Sequence, residues 1–569
     1  MRIDNRPLPE TLPDLGELPP LLTRLYAARG VQNQTELVHS LAQLAPWQSL
    51  KGIDSAVALL LRARQSQQNI LVVGDYDADG ATASAVAILG LRALGFKQLD
   101  YLVPSRFDYG YGLSPAIVEV AQSRQTDLLI TVDNGISSLE GVAAAKAAGL
   151  SVLITDHHLA AAQLPDADAL VNPNQPGCPF QSKALAGVGV MFYVLLALRA
   201  KLREQGEFLS HPAPNLAELL DLVALGTVAD VVPLDANNRI LVQQGLLRIR
   251  AGKCRAGISA LLEVAGKNHS PIRASDLGFI LGPRLNAAGR LDDMGLGIAC
   301  LLAEGAEQAQ SIAKELDGLN RDRRSIEQGM QREALAQLKE LDADNLPFAL
   351  CLFDKDWHQG VIGILAARLK ERYHRPTLAF AAGADGQLKG SARSIEGFHI
   401  RDALAAVDAR YPRLIEKFGG HAMAAGLTLK QENFSDFAQA FEQQARRLLK
   451  EEDLNARLLS DGELNAEELG LPLAKQLSAA GPWGQQFPEP LFHGVFTIKS
   501  QRLVGERHLK LQLSTDDGSQ TLEAIAFNID PGQWPNTQVK QVQIAYRLDI
   551  NQYRGNETLQ LLVVHIEAH

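Results

Sequence analysis

Val72-Val73-Gly74-Asp75-Tyr76-Asp77-Ala78-Asp79-Gly80 runs an apolar stretch straight into three carboxylates at alternate positions. The apolar part begins at Asn69, and a helical pattern over Ala81–Leu94 follows. The same order recurs downstream. Asp127–Val132 leads into Asp133-Asn134-Gly135, and Ser151–Thr155 into Asp156-His157-His158. A strand signal at Leu99–Val103 and an Ala-rich helical stretch at Leu139–Ala148 fill the intervals. Short apolar runs alternating with helices predict βαβ units and a parallel sheet buried on both faces. Ligands of such sheets bind outside the carboxyl ends of the strands. The Asp and His residues that end these runs are therefore expected in one cleft. Asp230 is placed with this strand-end set, because Val223–Ala229 leads into it; the wider apolar run 219–228 reads as a buried helix or strand.

Carboxylates gathered this closely repel one another and raise their own pKa values unless a cation sits among them. Asp oxygens with one or two imidazoles suit Mg²⁺ or Mn²⁺ better than zinc. Two such ions about 3.5–4 Å apart, bridged by a shared carboxylate, form a phosphoryl-transfer clamp. Each piece alone has an ordinary reading: an Asp after a strand is often a helix N-cap, and His157-His158 a polar loop pair. Asp75-x-Asp77-x-Asp79-Gly80 also opens like an EF-hand loop, but the twelfth position is Val86 and a strand precedes it. No GxGxxG opens the first helix, which excludes a dinucleotide site of that kind.

Length and composition set the frame. At roughly 150 residues per domain, 569 residues make about three or four domains. Hydrophobic content of 46% and charged content of 21% exclude wholesale disorder and collagen-like sequence. A net charge of −10 argues against coating nucleic acid by bulk electrostatics, while leaving room for a local basic groove. Cys178, Cys254, Cys300 and Cys351 lie far apart without a CxxC pair, against a zinc ribbon, redox dithiol or disulfide framework. The longest apolar run, near Val188–Leu198, falls short of the roughly 20 residues of a bilayer span, and no apolar leader is visible at the start. The expectation is a cytoplasmic protein without a membrane partner.

Further along, apolar residues from Ile312 to Leu341 recur mostly at helical spacing and predict a long helix joining two lobes. A second α/β segment follows: strand Phe348–Phe353, helix Val361–Arg372, strand Thr377–Ala381. Near the end, Gly494–Ser500, Leu509–Ser514, Leu522–Phe527, Val542–Ile550 and Leu559–Ile566 read as short alternating strands, which predict an OB-like β-barrel. The expected layout is an N-terminal extension packed on the first domain (1–50), a parallel-sheet catalytic domain (51–305), a connecting helix (306–345), a smaller α/β domain (346–430), a helical linker (431–460) and the barrel (461–569).

With these motifs in order, the chain resembles the DHH phosphoesterase superfamily. The matching stretches are DYDADG (75–80), VDNG (132–135), TDHH (155–158) and LGTVADVVPL (225–234), with GPRLNAAGR at 282–290. The second lobe resembles the DHH-associated domain through Trp357–Gly363, Lys389–Ser394 and Gly419-Gly420-His421. The resemblance covers nearly the whole chain. It implies that Asp77, Asp79, Asp133, His157 and Asp230 hold two Mg²⁺ or Mn²⁺ ions, with Asp133 as bridge. It further implies that His158 faces the scissile phosphate and that Asp75 lies at or next to the ions. Val73 departs from the pattern: many members carry His there, so a ligand of one site is missing or replaced, with Asp75 or water as substitutes.

Substrate-binding groups follow the same logic. Arg106, in Pro104–Gly112 with Tyr109 and Tyr111, suits phosphate gripping and base stacking. Ser391 and Arg393 in Gly390–Ser394 offer a hydroxyl, a guanidinium and close backbone approach to a terminal phosphate. By resemblance they hold the 5′-phosphate and set polarity, and Arg284 and Asn286 grip the strand nearer the metals. His421, flanked by glycines, fits a substrate-facing loop or a buried structural role. The barrel offers Arg502, Arg507, Lys510, Tyr546, Tyr553 and Arg554 for sequence-tolerant stacking on single strands.

The function so implied is a metal-dependent 5′→3′ exonuclease that degrades single-stranded DNA to mononucleotides during recombination, mismatch repair and other repair. A phosphodiesterase of cyclic dinucleotides or short oligonucleotides, or a pyrophosphatase, is the alternative within the superfamily; the barrel argues for a polymer. A non-catalytic DNA-binding scaffold is the alternative outside it; the intact carboxylates argue against that. On the same resemblance the partners are single-stranded DNA, single-strand-binding protein and a RecQ-type helicase, and the chain is a monomer.

Overall fold

A computed structural model describes residues 1–104, 112–339, 346–505, 507–553 and 555–569. The chain forms two compact units. One comprises Ile3–Gly289, Asp293–Asp317 and Leu459–His569; the other comprises Met1–Arg2, Arg290–Asp292 and Gly318–Leu458.

Strand β1 (Arg2–Asn5) precedes the catalytic sheet, which is built from β2 (Ile70–Gly74), β3 (Leu99–Leu102), β4 (Leu128–Val132), β5 (Ser151–Thr155) and β6 (Ala169–Val171). All pairings are parallel, in the order β3-β2-β4-β5-β6. Every residue of β2 and β4 is buried, as a sheet covered on both faces requires. One face packs on helices Pro115–Ser123 and Leu139–Ala147, with Val73, Leu113, Ile117, Leu129, Val142, Val152 and Ile154 in that core. Helix Ala78–Ala93 packs against helices Gly187–Glu204 and Leu220–Ala229. The chain leaves β2 for β3 on one side and returns to β4 on the other. That reversal is a topological switch point, where loops diverge and a crevice opens.

Asp230 corrects the expectation of a fourth strand end. The run before it is the helix Leu220–Ala229, and Asp230 is its C-cap. Residues 220–227 are buried all round, so the run has no amphipathic period by which sequence could tell helix from strand.

The helix Ala306–Lys339 is continuous over 34 residues. In the unit that contains most of it, β7 (Leu350–Phe353), β8 (Thr377–Ala382), β9 (Gln387–Arg393), β10 (Lys417–Gly420) and β11 (Ala424–Lys430) form one sheet in the order β10-β11-β9-β8-β7. Only β7 and β8 pair in parallel. Helices Ile362–Tyr373, Ile400–Arg410 and Phe434–Leu448 cover its faces around two apolar clusters, one centred on Phe380, Phe437 and Phe441, the other on Leu352, Leu365 and Leu369.

Strand β12 (Arg457–Ser460) pairs with β1. The last five strands, β13 (Phe492–Val504), β14 (His508–Ser514), β15 (Thr521–Ala526), β16 (Gln541–Tyr553) and β17 (Asn556–Ala568), close a barrel in the order β13-β14-β15-β17-β16. Closure leaves no open sheet edge, and β13, β16 and β17, at 13 residues each, run longer than the short segments expected. The N-terminal segment is tied down nearby: Tyr26, Trp483 and Phe487 stack, and Arg239 lies over Phe487 at 4.3 Å. Among the described residues no helix is long and apolar enough to cross a membrane.

Candidate metal centre and phosphate-binding groups

The first acidic motif sits between β2 and the helix that begins at Ala78. Asp77 is the N-cap of that helix, its Oδ1 accepting from the backbone N–H of Asp79 at 2.9 Å and of Gly80 at 3.1 Å. The cap fixes the carboxylate within a cluster: one ligand atom each from Asp75, Asp77 and Asp133 lie within 4.8 Å of one another. Capping and cation-binding geometry therefore coincide in one residue.

Asp79 points the other way, to the N-terminus of helix Gly187–Glu204. Its two oxygens accept from Gly187 N–H at 2.6 Å and Val188 N–H at 3.0 Å. Burial, with Asp77 next, still raises its pKa to about 7, against those two hydrogen bonds. A Cβ on Gly187 would stand 2.5 Å from the Cβ of Asp133, so only glycine lets this helix end come so close. Asp133 itself has φ 62°, a left-handed conformation uncommon outside glycine. Strain of this kind persists only where surroundings hold it, often at functional sites.

His157 joins the groups. Its Nε2 is 3.1 Å from Asp133 Oδ1, 3.4 Å from Asp230 Oδ2 and 4.0 Å from Asp79 Oδ2. Two further donor sets with ligand atoms within 4.8 Å follow: Asp133, His157 and His158, and Asp79, His157 and Asp230. Burial first, then the neighbouring carboxylates, hold Asp133 and Asp230 well above the usual carboxylate range. The donor set is oxygen-rich with imidazole and is destabilised by its own negative charge. That fits Mg²⁺ or Mn²⁺, and a divalent cation among the carboxylates removes the repulsion.

Asp156, for which the sequence reading assigned no role, orients the other histidine. Its Oδ1 lies 2.8 Å from His158 Nδ1 and accepts from the N–H of His157 and His158, while Oδ2 accepts from Ile136 N–H. Burial alone would raise this carboxyl, but the His158 contact and the backbone donor outweigh it and lower its pKa. Burial likewise works against the His158 imidazolium, yet Asp156, then Asp75 and Asp77, raise its pKa to about 9. Gly187 and Val188 were also missed as parts of the site. Their signal was Gly187 and Gly189 at the opening of the longest apolar run.

The remaining residues fall in several places. Asn286 Oδ1 accepts from Ala78 N–H at 2.7 Å and so braces the turn that carries Asp77 and Asp79. Arg284 is buried and donates to Asp317 at 3.0 and 2.9 Å and to the Ile280 carbonyl at 2.7 Å. In the other unit, alternation along β9 puts Ser391 and Arg393 on one face, with Arg393 Nη1 donating to Ser391 Oγ at 3.1 Å. A Cβ on Gly363, at the start of helix Ile362–Tyr373, would come within 3.0 Å of both side chains. A hydroxyl, a guanidinium and a helix N-terminus thus meet. His421 lies in the turn between β10 and β11, and Ala424 beyond it pairs with Arg393. In the barrel, Arg502 and Arg507 are exposed, Lys510 pairs with Glu523 at 3.0 Å, and Tyr546 is a core residue against Phe496. Arg106, Tyr111 and Arg554 lie outside the described residues, as does the side chain of Tyr553.

Comparison with known proteins places this arrangement. The DHH family N-terminal domain matches residues 69–227, the DHHA1 domain 345–447 and the RecJ OB domain 460–565. The single-stranded-DNA-specific exonuclease RecJ of Salmonella typhimurium is 55% identical over 99% of this chain and 98% of its own length. That of Escherichia coli is 54% identical over 100% and 99%. The crystal structure of Thermus thermophilus RecJ in complex with Mn²⁺ matches with a TM-score of 0.81 at 30% identity, over 100% of this chain and 79% of that one. With all three domains matched in order and more than half of its residues identical to the Salmonella and Escherichia proteins over essentially full length, the chain belongs to the RecJ family of DHH phosphoesterases.

Proposed function

We propose that the chain is a single-stranded-DNA-specific exonuclease, dependent on Mg²⁺ or Mn²⁺, that works from the 5′ end and releases mononucleotides for DNA repair and recombination. The observation that carries this is the convergence of three His/Asp donor groups on one switch point, with Asp133 shared by two of them and His157 by two. Asp77, Asp79, Asp133, His157 and Asp230 would hold two such ions, with Asp133 common to the donor groups of both. Asp75 shares a group with Asp77 and Asp133, which supports it as the substitute for the histidine absent at Val73. Ions held there would supply Lewis acidity that activates water and neutralises charge on the phosphate.

The protein does the rest. Asp156 orients His158 through Nδ1 and favours its charged form, and His158 stabilises the charge that builds on the scissile phosphate. Ser391, Arg393 and the N-terminus of helix Ile362–Tyr373 hold a terminal phosphate dianion, and His421, from the β10–β11 turn, adds a further contact to the strand. Arg284 and Asn286 support the strand near the ions, and Arg106 and Tyr111 complete the grip. The barrel supplies further contact along the strand. The protein acts as a monomer in the cytoplasm, with single-strand-binding protein and a RecQ-type helicase as partners.

The test is digestion of 5′- and 3′-labelled single-stranded and blunt duplex oligonucleotides with Mg²⁺, Mn²⁺ or EDTA. Loss of mononucleotides from the 5′ end of single strands only, abolished by EDTA, is the expected result. Cleavage of cyclic dinucleotides or dinucleotides alone moves the function to the short-substrate branch.

A further inference from the structure

Beside the metal centre, in the same unit, is a second concavity that the mechanism leaves unused. It has a volume of about 350 Å³, and its lining includes Val228, Val231, Phe279, Pro482 and Trp483. Three guanidinium groups, from Arg250, Arg273 and Arg547, line it with a single carboxylate, Glu489. Arg273 pairs at 3.0 Å with Asp549, and Arg547 at 3.2 Å with Glu489. The cavity is thus apolar in its walls, and with Glu489 and Asp549 pairing two of its three guanidiniums, Arg250, which donates to the Ile272 carbonyl at 2.8 Å, supplies the one positive charge left over.

Two of its residues are out of the ordinary. Val231 follows Asp230 directly and has φ 59°, although it is β-branched, and it is 62% exposed. Consecutive Cα atoms are about 3.8 Å apart, so this wall starts within one residue of the metal centre. The left-handed kink turns neighbouring side chains apart: Asp230 joins the acidic cluster and Val231 lines the cavity. The left-handed residue ends the helix, its N–H donating to the Val228 carbonyl at 3.2 Å, but a β-branched side chain is uncommon there. Phe279 sits on a single π-helical turn, Leu277–Leu281, and is 78% exposed. Single π-helical turns are rare and frequently found at functional sites.

We infer that this cavity receives a nucleobase of the single strand as it leaves the metal centre, with Phe279 as the stacking face and Val231 as the opposing wall, and that Arg250 and Arg273 take the adjoining phosphate. The inference rests on the exonuclease reading. The occupant follows from the combination: one guanidinium in excess of the two ion pairs stands beside an exposed aromatic ring and an apolar wall, and a nucleotide supplies an aromatic plane and a phosphate together. Stacking is indifferent to base identity, as an enzyme that consumes any sequence requires.

The experiment uses the full chain and 5′-phosphorylated oligonucleotides that carry 2-aminopurine at successive positions, with fluorescence read at saturation and degradation followed on the same strands. In the wild type, quenching is expected at one position or two adjacent ones. Phe279→Ala should abolish that quenching and raise KM by roughly 5- to 150-fold, the range for one lost base stack. Phe279→Trp should restore both. Phe279 is a surface residue, so these variants fold. If the wild type degrades the strands but no position is quenched, or Phe279→Ala keeps the quenching and KM, the cavity does not hold DNA and serves another ligand such as a protein segment. If the wild type degrades no single strand, the exonuclease reading fails first.

Discussion

Asp156 Oδ1 and His158 Nδ1 lie 2.8 Å apart, with the carboxylate buried at 1% exposure beneath the imidazole. The motif therefore contains its own support: its first residue holds its third, while its second, His157, turns to Asp133, Asp79 and Asp230.

Asp156→Asn keeps the size of this support and removes its charge. His158 loses the partner that orients it and favours its charged form, so kcat should fall about 10²- to 10³-fold, the usual value of one charge-stabilising donor, with KM little changed. A rise in KM at constant kcat would instead make Asp156 a substrate-binding residue.

Asp133→Ala should lower turnover by orders of magnitude while the fold persists. In EDTA the variant's Tm should equal or exceed that of the wild type, because a buried, mutually repelling carboxylate is gone. Added Mg²⁺ or Mn²⁺ should raise the Tm of the wild type by ligand linkage and leave the variant unmoved. Near-normal activity in the variant would dismiss Asp133 as a shared ligand.

Arg393→Ala tests polarity. Any phosphodiester offers the ions the same group, so strand direction must be set elsewhere. A charge-assisted hydrogen bond is worth about 1.5–3 kcal/mol, hence the variant should use 5′-phosphorylated ends roughly 10- to 150-fold less well. Ends bearing a 5′-hydroxyl should be affected much less. Equal losses on both ends would assign Arg393 to general binding or folding.

Asp461→Asn probes stability rather than chemistry. The Asp461 carboxylate accepts from Arg29 at 2.9 and 2.8 Å, from Arg6 at 3.2 Å and from Leu491 N–H at 2.9 Å, with its side chain 2% exposed. Removing one partner from a buried ion pair costs about 3–5 kcal/mol, so the urea midpoint should fall clearly. Turnover of the folded fraction should not change.

Much of this protein is decided locally, and sequence alone determines it. Val72 and Val73, or Ile130 and Val132, are strands because β-branched runs bounded by polar turns form nothing else so well, and an Asp after each must lie at a sheet's carboxyl edge. The five barrel segments were legible by their alternation and the long helix from Ala306 by its helical spacing. The run before Asp230 was not, because burial on every side erases the period that distinguishes helix from strand. What only the tertiary structure decided is which distant atoms meet. Asp79 finds Val188 N–H across 109 residues, Asn286 finds Ala78 N–H across 208, and Gly187 is glycine because Asp133 passes 2.5 Å from where its Cβ would be. Such contacts leave no spacing in the chain. They are fixed by strand order and helix packing, and that is why the carboxylates could be read from the sequence but the groups that aim them could not.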